Sequence, residues 1–114
     1  MNTTERTAPL AHEVANKTAH LLGGYRNITA TVGGHNFAAD SGGALIFHFK
    51  GSDCANICTV EYRQLSDDYV LRLDKIIVKK KKEISYRAVS MCSGLNPDTL
   101  VKAFERETQL SLSL

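Results

Sequence analysis

Four consecutive lysines, Lys79, Lys80, Lys81 and Lys82, form the densest charge in the chain. Each lysine that neutralises a phosphate releases a counterion, so such a run suits a phosphate-rich or acidic partner without sequence preference. The bland alternative is a solvated turn whose repulsion keeps a sheet edge from pairing with other chains. Arg63, Arg72 and Arg87 add three planar cations in neighbouring segments. His48, Cys54, Cys58 and Cys92 offer imidazole and thiolate, the ligand types of zinc. Structural zinc usually takes cysteines two to four residues apart plus a second pair of similar spacing, and here that second pair is missing. Cys58 fits better as a small apolar group in a strand.

Catalytic patterns do not assemble. His12 and His20 lie eight residues apart, too far for the i, i+4 histidine pair of a metalloprotease helix. Asp40-Ser41-Gly42-Gly43 lacks the glycine that precedes serine in a nucleophile elbow. The paired glycines at 23–24, 33–34 and 42–43 match neither a Walker pattern nor a dinucleotide fingerprint, and Asp67-Asp68 reads as turn chemistry. The expectation is a chain with no catalytic residue, no metal and no cofactor. Partner-binding side chains are expected at Lys79, Lys80, Lys81, Lys82, Arg63, Arg72 and Arg87.

A chain of 114 residues with 43% apolar and 23% charged residues has the size and composition of one globular domain. The formal charge of +2 is a local effect, since without the four lysines ten basic residues face twelve acidic ones. No apolar run approaches the roughly 18 residues of a membrane span, and no secretion signal opens the chain. Three cysteines without an export signal fit a reducing compartment, so the expectation is a cytoplasmic protein with free thiols and no membrane partner.

The elements that must position these groups follow from periodicity. Residues 1–7 are polar and aperiodic and are expected to be flexible, leaving 8–114 as a single α+β domain. Thr7 and Pro9 suit a helix start, and Leu10, Val14, Thr18, Leu21 and Leu22 make its apolar stripe up to Gly23-Gly24. Ile28, Ala30 and Val32 alternate with threonines, which predicts a strand over 27–32, closed into a hairpin by a short strand at 36–39. Residues 44–50 read as a central strand with Leu45, Phe47 and Phe49 inward. Residues 56–64 follow with Cys58, Val60 and Tyr62 inward, and 69–78 with Tyr69, Leu71 and Leu73 inward.

The run Ile76-Ile77-Val78 breaks the alternation and predicts a bulge. Residues 83–91 return with Ile84, Tyr86 and Ala88 inward, which makes the tetralysine a hairpin tip. On that parity Arg63, Arg72 and Arg87 share the outer face of the sheet with Glu61 and Asp74. Asn96-Pro97-Asp98 opens a second helix with Leu100, Val101, Phe104 and Thr108 inward. The alternating apolar tail 109–114 is expected to lie along the sheet or a partner. The predicted architecture is a two-layer α+β fold: N-terminal helix, antiparallel sheet of about 5–6 strands, C-terminal helix.

Several fragments together resemble a family of small uncharacterised proteins encoded by tailed bacteriophages and prophages. They are Asn36-Phe37, the strand end Phe47-His48-Phe49-Lys50-Gly51-Ser52, Asp68-Tyr69 with Lys75-Ile76, and the ending from Phe104 to Leu114. Gln109 stands where the resemblance leads one to expect glycine. The resemblance implies a phage accessory protein, without a cofactor, in the cytoplasm of the infected bacterial host. Such a protein would act without catalysis, binding and inhibiting a host or defence complex in the manner of an anti-CRISPR, with a nucleic-acid-containing complex as one acidic target. Two further expectations stand beside it: a nucleic-acid-binding protein using the basic tip and sheet face, and a structural homodimer or larger oligomer joined through the Leu110–Leu114 tail.

Overall fold

The computed structural model describes residues 3–79 and 83–113. Three helices and five strands follow in the order α1 (Thr3–Leu21), α2 (Tyr25–Val32), β1 (His35–Ala39), β2 (Leu45–His48), β3 (Ile57–Arg63), β4 (Asp68–Lys79), β5 (Glu83–Leu95) and α3 (Pro97–Thr108). The strands form one antiparallel sheet in sequence order, β1-β2-β3-β4-β5. The α+β class and the two terminal helices agree with the sequence reading. Helix α1 begins at Thr3, ahead of the start expected at Thr7.

The segment 27–32 is helix α2 and not a strand. Ile28 and Val32 are both buried, and two residues four apart share a face under either period, so only exposed Ala30 separates the two readings. The helix wins because its ends are bracketed by glycine. Gly33 takes the left-handed conformation at φ 65°, and the N–H groups of Gly33 and Gly34 close onto the carbonyls of Thr29 and Ile28. The hairpin expected between 27–32 and 36–39 therefore does not form, and β1 pairs with β2. That leaves β3, not β2, at the centre of the sheet.

One face of the sheet carries the core. Leu45, Phe47 and Phe49 meet Cys58 and Val60 of β3 and Leu71 and Leu73 of β4, all buried. Helix α1 adds Ala15 and Ala19, with Leu22 just past its end, so its buried stripe runs over small residues that allow close approach, with Val14 and Leu21 only half-buried. Helix α3 contributes Leu100, Ala103 and Phe104, whose ring lies 5.4 Å from Phe49 and 6.2 Å from Phe47, within the range of favourable aromatic pairs. Its start is a complete capping box: the Asn96 side chain accepts from the Thr99 N–H at 2.9 Å, and the Asn96 N–H donates to Thr99 Oγ1 at 2.8 Å.

The described part of the apolar tail, residues 109–113, is neither a strand nor spare. Gln109 ends α3 in the left-handed conformation at φ 64°, which turns the chain back along the helices. Leu112 is only 6% exposed, its N–H donates to Glu105 Oε2 at 2.7 Å, and its carbonyl accepts from Asn27 Nδ2 at 2.7 Å. Within the described residues the tail, expected as a free strand, is an internal clasp between α2 and α3, and Leu114 lies outside the described residues.

The β4–β5 hairpin outgrows its cover. A 12-residue strand spans roughly 40 Å, whereas the 12-residue helix α3 spans roughly 18 Å, so the distal part cannot be roofed by it. Two register shifts interrupt the pairing, opposite Tyr69/Leu71 and Leu73/Asp74. In both, the extra residue lies on β5: Val89 in the second and the Ser93-Gly94 region in the first, with Gly94 at φ 68°. The bulge expected on β4 at 76–78 is therefore on the partner strand, and β4 keeps its alternation.

Candidate functional site

The Val89 bulge changes which side chains of β5 face outward. Beyond it, Ala88 pairs with Asp74, Tyr86 with Ile76 and Ile84 with Val78. Directly opposed residues share a face, so Ile84, Tyr86 and Ala88 lie on the open face of the sheet and not inward as expected from uninterrupted alternation. Ile84 is 64% exposed, Tyr86 71% and Val78 68%, and Met91, opposite Arg72, is equally open. The same shift carries Arg87 to the other side, beside Lys75.

The arginines expected to act together are therefore divided. Arg63 closes the β3–β4 turn, with Nε donating to Asp68 Oδ1 at 2.7 Å and a second bond to Asp68 Oδ2. The Arg63 guanidinium and then the Ser66 hydroxyl hold the Asp68 carboxyl below the usual range. Tyr62 donates to Asp67 at 2.7 Å in the same turn, a bond that raises the Tyr62 phenol. Arg72 lies mid-sheet with Nε 3.4 Å from Asp74 Oδ2. Arg87 lies on the helix side of the hairpin and has no ion pair among the described residues. Lys79 ends β4, while Lys80, Lys81 and Lys82 lie outside the described residues.

Between β2 and β5 the open face forms a shallow hollow lined by Ile46, His48, Ile57, Thr59, Arg72, Asp74, Tyr86 and Ala88. Its charges are close to balance, since Arg63 and Arg72 are met by Glu61, Asp68 and Asp74 on the same face. At the root of the hairpin Asn56 imitates a strand residue with its side chain. Its Nδ2 donates to the Ile76 carbonyl at 3.0 Å, and its Oδ1 accepts from the Ile76 N–H at 2.8 Å. The Asn56 backbone N–H adds a bond to the Asp74 carbonyl, so the loop before β3 props the strand that carries the exposed patch.

The candidate zinc ligands do not converge. His48 points to the open face and Cys58 into the core, where burial pushes its thiol well up, while Cys54 is exposed in the loop between them. Among the described residues no three His, Cys, Asp or Glu side chains come together to hold a metal. The His35 and His48 rings lie 5.6 Å apart, and His35 Nδ1 is 2.9 Å from the Gly33 carbonyl. Asp40 behaves as turn chemistry, its Oδ1 accepting from the N–H groups of Gly42 and Ala44. No helix among the described residues is long and apolar enough to cross a membrane.

The residues missed in the sequence are Tyr86, Ile84, Val78 and Met91. They lie on the face that no described helix covers, and the Val89 bulge that turns Ile84 and Tyr86 onto it leaves no mark in the alternation. No family model, curated protein or solved structure matches the chain.

Proposed function

We propose that the chain is a non-enzymatic binding protein whose open sheet face docks on a protein partner, the role expected of an accessory factor that occupies and inhibits a bacterial host or defence complex. The observation that carries this reading is the uncovered face itself. All three helices contribute to the core on the other side, leaving Ile46, Thr59, Val70, Met91 and Tyr86 facing outward. Apolar side chains interspersed with mutually paired charges have the composition of a protein interface, in which polar groups are already satisfied when water leaves. The near balance of charge on this face favours a protein surface over a phosphate backbone.

The test is a comparison of captures from bacterial lysate. Thr59 is half-buried at the centre of the face, between Ile46 and Arg72, so Thr59→Arg plants a bulky charge there. Lys102→Glu alters an exposed residue of α3 on the far side. The wild type and Lys102→Glu are expected to retain the same partner and Thr59→Arg to lose it. Retention of that partner by folded Thr59→Arg removes the proposal.

A further inference from the structure

Two histidines meet across the first pair of strands. His35 of β1 is the register partner of His48 of β2, and their ring centres lie 5.6 Å apart with the planes inclined at 49°. A backbone irregularity brings them to the same face. The pairing slips between His35 and Ala38, where three steps along β1 match two along β2, so the extra residue lies on β1. Uninterrupted alternation back from Ala38, which opposes Ile46 of the open face, would have turned His35 toward the core. Asn36 stands inside the interruption at φ 54°, a left-handed conformation that asparagine tolerates better than most residues other than glycine. Bulges re-aim side chains, and the side chain re-aimed here is an imidazole set beside a second one.

The hydrogen bond of His35 leaves the ring with a free lone pair. Its Nδ1 lies 2.9 Å from the Gly33 carbonyl oxygen, which can only accept, so in the neutral ring Nδ1 carries the hydrogen and Nε2 is the bare nitrogen. A bond from one ring nitrogen to a backbone carbonyl is what fixes the tautomer and orientation of metal-ligating histidines. The separation of the rings also suits a shared ion. A metal about 2.1 Å from one nitrogen of each ring sets the ring centres roughly 5 Å apart at a tetrahedral angle. The 5.6 Å found here is closed by a small rotation of two half-buried side chains. Both rings border a hollow shared with Lys50, Asn56, Ile76 and Val78. Asn56 is already committed, since both polar atoms of its side chain bond to Ile76. Lys50 is exposed, and its long stem lets the ammonium group turn into water and away from an ion. Asp74 lies two strands from His48, across Ile57, and faces Arg72. Among the described residues no group of three His, Cys, Asp or Glu side chains forms, so two imidazoles leave the remaining coordination positions to water.

We propose that His35 and His48 form a two-histidine site for a divalent late transition-metal ion, zinc or copper, with His35 binding through Nε2 and water completing the coordination. The ligands set the class of ion: imidazole suits zinc, copper and nickel, whereas magnesium and calcium take oxygen. The site goes beyond the protein-docking reading of the sheet face, and either can fail without the other.

The test is a calorimetric titration of the full chain with zinc chloride at neutral pH, on a Cys54→Ser parent because the exposed Cys54 thiol would compete for the ion. A single saturable site is expected. Since the second ring binds intramolecularly once the first has bound, His35→Ala and His48→Ala should each weaken binding by about a hundredfold, and the double variant by little more. His48→Gln keeps size and polarity without the imidazole, so it reads the same loss where alanine unsettles the fold. His12→Ala and His20→Ala change exposed histidines of α1 and should bind like the parent. Copper(II) added at one equivalent should show coupling to two imidazole nitrogens in the paramagnetic resonance spectrum of the parent and to one in either single variant. Zinc should raise the melting temperature of the parent and leave that of the two variants where it was. The absence of saturable zinc binding, His48→Gln binding as tightly as the parent, or a loss that follows His12 or His20 would each overturn the proposal. So would an equal response to magnesium.

Discussion

Replacing Asn56 by alanine tests whether one side chain holds the distal β4–β5 hairpin, the arm, to the body of the sheet. The substitution removes the donor to the Ile76 carbonyl and the acceptor for the Ile76 N–H, while the Asn56 backbone bond to Asp74 survives. Two amide hydrogen bonds in a half-buried setting contribute on the order of 1 kcal/mol each, so the expected loss is about 2 kcal/mol. An unfolding entropy of about 2.1 cal/mol/K per residue gives ~0.24 kcal/mol/K for 114 residues, so the melting temperature should fall by about 8 °C if the arm unfolds with the body. If the arm opens separately, the melt moves less. The Ile76 amide then loses protection by a factor of about 30, the same 2 kcal/mol read locally. Calorimetry and amide hydrogen exchange on the same samples distinguish these cases. An unchanged melt together with an equally protected Ile76 amide would refute the idea that Asn56 acts as a ladder residue.

Gln109 adopts φ 64°, a conformation that costs a side chain but not glycine, so Gln109→Gly should stabilise the fold by about 0.5–1 kcal/mol, read as a rise in denaturation midpoint at constant slope. The acid limb of the stability curve should contain Asp68 and Glu107. Arg63 and then Ser66 depress the first, and Ser90 and then Arg106 depress the second. A carboxyl whose folded pKa lies below its unfolded value stabilises the fold above that unfolded value, near pH 4, and loses the contribution as pH falls through the folded pKa. Asp68→Asn should therefore flatten the stability profile below about pH 4 relative to wild type, measured by denaturant titration across that range. Both carboxylates are half-buried but their arginine partners are exposed, so added salt should shrink the effect.

Where local chemistry and tertiary packing agreed, the sequence was readable. Asn96-Pro97 announced α3 through a cap whose partners lie within three residues, and Leu71, Leu73, Cys58 and Val60 kept a two-residue period on unbulged stretches of strand. The reading failed where a single position decides the outcome. Ile28 and Val32 satisfy helix and strand alike, and Gly33-Gly34, which cap the helix here, read equally well as a strand end. The extra residue at Val89 reversed every outward assignment on the distal half of β5 and separated Arg87 from Arg63 and Arg72. A bulge leaves no signature in hydropathy, because Val89 is as acceptable in a regular strand as in an interrupted one. The tail looked like a free strand since its alternation was visible and its partners, Glu105 and Asn27, were not.

The 13 residues from Lys75 to Arg87 carry a net charge of +5 and the rest of the chain −3, a division with a kinetic meaning apart from any contact it makes. Opposite net charges on two parts of one small molecule form an electric dipole, and a dipole turns in the field of whatever it approaches. Near a strongly negative surface the protein would arrive arm first, with its acidic body held away, so a larger share of random encounters would begin in a productive orientation. That advantage reaches about 10 Å at 0.1 M ionic strength and fades as salt shortens the screening length. The positive charge of this segment would in this way set how fast, and from which side, the molecule is met.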